Sequence, residues 1–249
     1  MDRGLWISWY DLPTAGRDAY LSWLHGEYIP RILQRPGILY AAHYESARVP
    51  PKYDHNTDDP SVPAGNDFVL IFGGESAHVF TRSAEGYVKG TPDKYYFQAC
   101  LSENDKAMLQ TRMGERVCVT TEQARTDGPA AKQRTGELAL APCIQLGSFN
   151  AQSVDVEDEW LAWFADWRLQ ALSKTPGCIG MRKLVSVRGW AKHLVLYEFE
   201  SMQARNGYAP YLKKMYPEMV AWTERATMKL VHAPASPVVG ARLWPPVRN

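Results

Sequence analysis

The chain has 249 residues, of which 45% are hydrophobic and 22% are charged, so it can bury a large core and is not disordered. Its 28 basic and 27 acidic residues leave a formal net charge of +1, and like charges form no long run. This balance excludes a phosphate-backbone or anionic-membrane footprint, so neither nucleic acid nor membrane is expected as a partner.

Targeting and metal-binding signals are also missing from the sequence. The N-terminal MDRGLWISWY has no basic region followed by an apolar stretch, and the longest apolar run, from Phe68, is far shorter than the ~20 residues of a membrane helix. The four cysteines lie far apart without a CxxC pair, which argues against a zinc or redox site. We therefore expect a cytoplasmic protein that holds no metal.

The first elements in chain order are predicted to be strand, helix and strand. LWISWY (5–10) is rich in aromatic and β-branched residues. Residues 20–37, YLSWLHGEYIPRILQRPG, place apolar side chains at helical spacing and end on a Pro-Gly pair that turns the chain. ILYAAHYES (38–46) follows as a strand. The polar, proline-rich residues 48–66 then predict an unusually long loop before a strand over 67–76.

The second half of the chain repeats the first. After a predicted helix over 103–114 and a strand over 116–121, residues 160–177 (WLAWFADWRLQALSKTPG) match residues 20–37 at an offset of 140. KHLVLYEFES, from Lys192, matches DFVLIFGGES, from Asp67, at an offset of 125. The other elements predicted for this half are strands over 143–149, 178–187 and 227–232 and a helix over 211–226.

Each half therefore has the element order β-α-β-β-α-β of a ferredoxin-like module, in which helices cover one face of an antiparallel sheet. The predicted fold class is α+β, with a first module over 1–125, a linker over 126–140 and a second module with a C-terminal extension over 141–249. Because each sheet has a second face to bury, the two modules are expected to pack together as one globule.

The tryptophan-bearing first helix that closes on Pro-Gly before the second strand resembles the dimeric α+β barrel superfamily, especially its EthD-like and antibiotic-biosynthesis-monooxygenase-like proteins. Most members are single modules that dimerise into a barrel, so the resemblance implies an intramolecular barrel here. The superfamily includes cofactor-free oxygenases, cyclases, isomerases, decarboxylases and dehydratases. Its tandem relatives include haem proteins such as chlorite dismutases and dye-decolourising peroxidases. The resemblance thus implies small-molecule chemistry without naming a reaction.

Histidines are the first candidates for catalysis, because imidazole titrates near neutrality. His43 lies in the middle of an aromatic strand, where a satisfied core histidine and a general base are equally compatible with the pattern. His25 lies at the edge of the buried face of the first helix. Their counterparts in the second half are Lys183 and Ala165. The predicted catalytic residues are His43, His25, Tyr44 and His193.

Aromatic and basic side chains are the candidates for substrate binding, because aromatic walls supply apolar contact and arginine holds anions. They are Tyr40, Trp9, Tyr28, Arg182 and Tyr197. Because His25, His43 and the long loop 48–66 occur only in the first half, the site is expected there, with the loop as a cover. Periodicity leaves open which face of each strand borders the site.

Three functions fit this sequence. The first is a cofactor-independent enzyme that acts on an aromatic or polyketide-like small molecule by proton transfer, in a lyase, isomerase, cyclase or hydrolytic step. The second is a haem-binding oxidoreductase in which a histidine is the axial ligand. The third is a small-molecule binding protein without catalytic activity. All three take a small molecule as the partner, and homodimerisation of the chain stays open.

Overall fold

The computed structural model describes residues 2–47, 55–80, 101–131 and 140–247. The strands of the first half are β1 (Gly4–Asp11), β2 (Ile38–Ser46), β3 (Phe68–Gly74) and β4 (Met113–Asp127). Helix α1 runs through the consecutive segments Arg17–Trp23, Leu24–Tyr28 (π-helical) and Ile29–Ile32. A 3-10 turn over Ala77–Phe80 and helix α2 (Glu103–Gln110) are the other helical elements described in this half.

The second half has strands β5 (Cys143–Ala151), β6 (Cys178–Arg188), β7 (His193–Phe199), β8 (Leu230–His232) and β9 (Val238–Trp244). Helix α3 again has three segments, Val154–Trp163, Phe164–Arg168 (π-helical) and Leu169–Leu172. Helices α4 (Met202–Met215) and α5 (Val220–Met228) are separated by a 3-10 turn over Pro217–Met219. Among the described residues, no helix is long and apolar enough to cross a membrane.

Local sequence signals set the helix boundaries. Ser102, Ser153 and Ser201 each accept a hydrogen bond at the side-chain oxygen from a backbone N–H in the first turn of α2, α3 and α4, which satisfies one of the unpaired donors there. The turns after α1 and α3 contain Gly37 and Gly177, whose φ angles are +85° and +70°. The left-handed backbone at both positions favours glycine, which explains the repeated Pro-Gly pair.

The strands close into an eight-stranded antiparallel barrel. The order around the ring is β7, β6, β4, β1, β3, β2, β9 and β5, and β5 pairs with β7 to close it. Strand β8 continues the pairing along β5 where β9 ends. The C-terminal segment, expected to be a packed extension, is therefore a barrel strand. The observed architecture is a mixed α+β fold, as predicted.

Two predicted boundaries differ from the structure. Strand β4 continues to Asp127, beyond its predicted end at residue 121, because β6 pairs with it along Val119–Asp127. The helix predicted over 211–226 is two helices, α4 and α5, with Pro217 at the start of the turn between them. Of the predicted loop 48–66 and linker 126–140, residues 48–54 and 132–139 lie outside the described part of the chain.

Alternation along the strands divides their side chains between the barrel interior and two cores beneath the helices. Tyr40, Ala42 and Tyr44 of β2 belong to the interior cluster, together with apolar side chains of both halves. Ala41 packs in the core that contains α1. His43 shares that face of β2, so His43 and Tyr44 point to opposite sides of the sheet. A separate core lies beneath α3, α4 and α5.

Candidate functional site

A cavity of about 620 Å³ lies in the second half of the chain, between the sheet and helices α3, α4 and α5. Its volume falls in the range of small-molecule and cofactor sites. Seven aromatic side chains line it: Phe149, Trp160, Trp163, Trp167, Tyr197, Tyr208 and Tyr216. The polar and charged residues that line it are Gln145, Arg168, Lys213, Thr223, Glu224, Thr227 and His232. The cavity therefore suits a flat apolar molecule that carries a few polar groups.

The π-helical segment of α3 supplies one side of the cavity. A π-turn contains an extra residue, so residues four and five positions apart, such as Trp163, Trp167 and Arg168, come to the same face. All three line the cavity. Trp163 Nε1 donates to Thr223 Oγ1 at 3.2 Å, which ties α3 to α5 across the cavity. Such π-turns inside α-helices are frequent at functional sites.

Arg168 and Gln145 mark one end of the cavity. The Arg168 guanidinium carbon lies 5.2 to 5.7 Å from the centroids of the four rings of Trp163, Trp167, Tyr197 and Tyr208. Its Nε donates to Tyr197 Oη at 3.1 Å. Gln145 Nε2 donates to Tyr208 Oη, also at 3.1 Å. These contacts hold a buried cation and two phenols in fixed positions among aromatic rings.

His232 marks the other end. It pairs with Phe149 across β5 and β8, and the two rings are 5.3 Å apart. Residues within the predicted loop 48–66 hold its backbone, because His232 N–H donates to His55 O at 2.8 Å and Thr57 N–H donates to His232 O at 2.7 Å. Burial lowers the pKa of His232 to about 4, so its imidazole is neutral at pH 7. Phe149 lies four positions after Gln145 along β5, so the two ends are about 14 Å apart.

The structure brings two of the predicted catalytic residues together, at a different place. His25 Nε2 is 2.9 Å from His43 Nδ1, and His43 Nε2 is 2.9 Å from Tyr10 Oη, in the core beneath α1. Burial lowers the pKa of His43 well below its usual value, with further contributions from His25 and Arg112. Burial also lowers the pKa of His25. Tyr44 lies on the other face, where its hydroxyl donates to Ala141 O at 2.8 Å.

His193 and the candidate binding residues are spread over three environments. His193 Nε2 is 2.8 Å from Glu157 Oε1, and the His193 ring packs on Phe149 and Trp160, which line the cavity. Tyr197 lines the cavity itself. Tyr28, the last residue of the π-helical segment of α1, is buried in the core beneath that helix. Trp9, Tyr40 and Arg182 lie in or at the barrel interior.

Sequence reasoning did not single out Trp167, Arg168 or His232. The repeat contains a signal for the first two, because at the offset of 140 the pair Trp167-Arg168 stands opposite Glu27-Tyr28. The predicted site residues His25 and His43 occur only in the first half, whereas this pair occurs only in the second. No local sequence pattern points to His232, because its place in the cavity wall depends on pairing with β5 and with residues 55–57, which are distant in the sequence.

Comparison with known proteins gives neighbours in structure. No protein family model matches the chain, and no curated protein matches its sequence. An anthrone oxidase-like protein has a TM-score of 0.59 at 12% identity, over 98% of this chain and 92% of that chain. A "Putative monooxygenase" from Fusobacterium nucleatum gives 0.58 at 10% identity, over 97% and 93%. A "Putative Chlorite dismutase" gives 0.53 at 13% identity, over 98% and 95%.

These likenesses concern the fold. Together with the closed antiparallel barrel, they confirm the barrel fold that the resemblance to dimeric α+β barrel proteins implies. Within the described ranges, no three His, Cys, Asp or Glu side chains are grouped so that they could hold a metal ion.

Proposed function

We propose that the protein is an enzyme that binds an elongated aromatic small molecule in the cavity of the second half. The observation that carries this proposal is the aromatic wall of the 620 Å³ cavity, with a buried arginine at one end and a neutral histidine at the other. Flat ring systems gain most from such walls, since aromatic pairs add binding energy beyond the area they bury. The two polar ends, about 14 Å apart, fix the orientation of the molecule.

His232 is the proposed general base. A neutral imidazole can accept a proton from a hydroxyl or an activated carbon of the bound ring system. In the protein without substrate, the low pKa of about 4 makes His232 a weak base. An anion formed beside the ring stabilises the imidazolium and raises that pKa. Arg168 and Tyr197, at the other end, hold an acceptor group of the substrate and keep the reacting atom near His232.

The reaction that we propose to follow is cofactor-independent oxygenation. The names of two structural neighbours, an anthrone oxidase-like protein and a "Putative monooxygenase", support this choice over the lyase and isomerase steps. After His232 removes a proton from a ring CH₂ group, the resonance-stabilised carbanion adds dioxygen. Loss of water from the resulting hydroperoxide leaves a carbonyl, so that the ring CH₂ and O₂ become a ring C=O and H₂O.

Turnover of a tricyclic ketone with an activated CH₂, such as anthrone, tests the proposal. We expect oxygen-dependent formation of the quinone, measured by mass spectrometry with ¹⁸O₂, and a fall in kcat of roughly 10²–10⁴ in His232→Ala. His78→Ala is the matched control, because His78 is exposed on the 3-10 turn of the first half. Equal kcat in wild type and His232→Ala would refute the assignment of the base.

Haem is the second candidate, because imidazole is a common ligand of haem iron and His232 lines the wall of the cavity as a neutral ring. His232 would hold the iron, and Arg168 and Lys213 could pair with the haem carboxylates. Haem supplies oxygen and redox chemistry when it is bound. Titration with haemin distinguishes the two candidates: a stoichiometric Soret band that His232→Ala abolishes supports haem, and an unchanged haemin spectrum excludes it.

We also propose that each half is a ferredoxin-like module. The order β4, β1, β3, β2 in the first half and β8, β5, β7, β6 in the second, each with its helices on one face, supports this reading. Strand β9 then takes part of the place that a longer fourth strand of the second module would occupy beside β2. Buried free thiols at Cys118 and Cys143 support a cytoplasmic location for the protein.

A further inference from the structure

Arg205 and Tyr208 of α4 both contact Gln145 of β5, a residue of the cavity wall. They are three positions apart, so they lie on the same face of the helix. Arg205 Nε and Nη2 donate to Gln145 Oε1 at 3.1 and 2.9 Å. Because a guanidinium can only donate, the atom of the Gln145 amide that faces Arg205 has to be the oxygen. Arg205 therefore fixes the orientation of this amide.

The orientation of Gln145 decides how Tyr208 forms hydrogen bonds. Gln145 Nε2 donates to Tyr208 Oη at 3.1 Å, so the phenol oxygen is the acceptor in this contact. Gln145 Oε1 is 3.4 Å from Tyr208 Oη, which is longer than the usual O–H···O distance of about 2.5–3.0 Å. The two bonds from Arg205 already occupy both lone pairs of Oε1. Gln145 is therefore only a weak acceptor for the hydroxyl hydrogen of Tyr208.

The surroundings of Tyr208 allow a bound molecule to supply a better acceptor. Tyr208 and Gln145 both line the cavity, so their contact belongs to its wall. The Tyr208 ring packs against Tyr197 and Phe199, with centroids at 5.9 and 5.2 Å. While these contacts hold the ring in place, the hydroxyl hydrogen can still rotate about the C–O bond towards an acceptor.

We infer that Tyr208 determines specificity by donating a hydrogen bond to a ring carbonyl of the bound molecule, with Gln145 and Arg205 as positioning residues. The inference rests on the proposed function, because it concerns the same cavity. A carbonyl oxygen accepts near the plane of its own ring, so a flat ketone can accept this bond while its faces pack against aromatic side chains. A hydrocarbon of the same shape offers no acceptor. The substrate class is therefore a polycyclic aromatic ketone.

Two flat tricyclic probes test this inference: 9-fluorenone, which has a ring carbonyl, and fluorene, which has none. Equilibrium dialysis gives their Kd values, and infrared difference spectroscopy gives the C=O stretching frequency of bound 9-fluorenone, which a hydrogen bond lowers. In Tyr208→Phe we expect this frequency to rise and affinity for 9-fluorenone to fall by about 2- to 12-fold, with affinity for fluorene unchanged. Tyr211→Phe is the matched control, because the Tyr211 hydroxyl on the same helix donates to Lys174 O instead.

Variants of Arg205 test its positioning role while Tyr208 stays in place. In Arg205→Met the Gln145 amide can turn its oxygen to Tyr208, so we expect the C=O frequency to rise towards that of Tyr208→Phe. Arg205→Lys keeps a donor to Gln145 Oε1 and should keep the wild-type frequency.

Two results would overturn the inference and leave the proposed function standing, as long as wild type binds the probes. They are an equal C=O frequency in wild type and Tyr208→Phe, and a frequency that stays at the wild-type value in Arg205→Met. Failure of both probes to bind wild type would overturn the proposed function and the inference together.

Discussion

Both ring nitrogens of His43 are within hydrogen-bond distance of another side chain, His25 on one side and Tyr10 on the other. The ring also stacks on Phe68 at 5.4 Å. A buried polar group with two partners and aromatic contacts contributes to the stability of the core. His232 has the same residue type in a different setting, because its ring forms part of a cavity wall. His43 is therefore a candidate for a structural role, and His232 is a candidate for catalysis.

The structural role of His43 predicts a pH dependence. Its pKa in the folded state lies well below the ordinary value of 6.5, so below about pH 6.5 the unfolded chain binds a proton that the folded protein does not. The free energy of unfolding therefore falls with decreasing pH in that range, by up to about 1.4 kcal/mol per pH unit for this residue. In His43→Phe we expect a shallower fall, measured by urea unfolding at pH 7.5 and 5.5.

The same variant should be less stable than wild type at pH 7.5 by about 1–3 kcal/mol, because Tyr10 Oη loses its buried partner. His78→Gln, at an exposed position, is the control, and its pH profile should follow that of wild type. Parallel pH profiles of wild type and His43→Phe would contradict a neutral, buried His43.

Two glycines on the neighbouring strands β9 and β5 differ in how closely other atoms approach them. A Cβ atom at Gly240 of β9 would lie 2.8 Å from Tyr44 Cβ, so β9 can approach β2 only because it has no side chain there. A Cβ atom at Gly147 of β5 would meet nothing closer than 4.0 Å, and Gly147 lines the cavity between Gln145 and Phe149. Gly147 therefore leaves space that a ligand can use.

Gly147→Val should close the middle of the cavity without disturbing the fold. Valine is favoured in strands, and a Cβ atom at this position meets no atom closer than 4.0 Å. We expect affinity for anthraquinone-2-carboxamide to drop at least tenfold, as measured by tryptophan fluorescence, with an unchanged or higher unfolding midpoint. Gly207→Ala, on the exposed face of α4, is the control and should leave Kd unchanged. Unchanged affinity in Gly147→Val would place the ligand elsewhere.

The elements differ in how far the sequence predicts them. The first helix of each half is predictable because its apolar spacing, tryptophans and Pro-Gly end are local signals. Strand β9 is not, because its partners β2 and β5 are far away in the sequence and the local pattern does not specify which edges are open. The π-turns that carry Arg168 and Tyr28 also lack a local signature. The cavity arises where such elements meet, so its position in the second half could not be read from the repeat.

At the scale of the whole molecule, the two halves are joined by a charged cluster as well as by strand pairing. Arg182 of β6 lies 2.5 Å from Asp2 Oδ2 and 3.3 Å from Glu198 Oε2. Tyr40 donates to Asp2 at 2.6 Å, and Arg125 lies 2.9 Å from the same carboxylate. Asp2, Tyr40 and Arg125 belong to the first half, and Arg182 and Glu198 belong to the second. Arg182, expected from the sequence to bind substrate, thus contacts side chains of both halves.

Removal of Arg182 should therefore weaken the whole barrel. In Arg182→Met the half-buried carboxylate of Asp2 and the buried carboxylate of Glu198 lose their shared cation, and breaking a buried pair such as Arg182–Glu198 costs about 3–5 kcal/mol. We expect urea unfolding to stay a single transition at a lower midpoint, because the cluster spans both halves. The double variant Arg182→Met/Glu198→Gln removes one of the uncompensated charges and should recover part of the lost stability. The control Lys229→Met, at an exposed position, should change the free energy of unfolding little. A loss below about 1 kcal/mol in Arg182→Met, the value of an exposed ion pair, would show that strand pairing alone joins the halves.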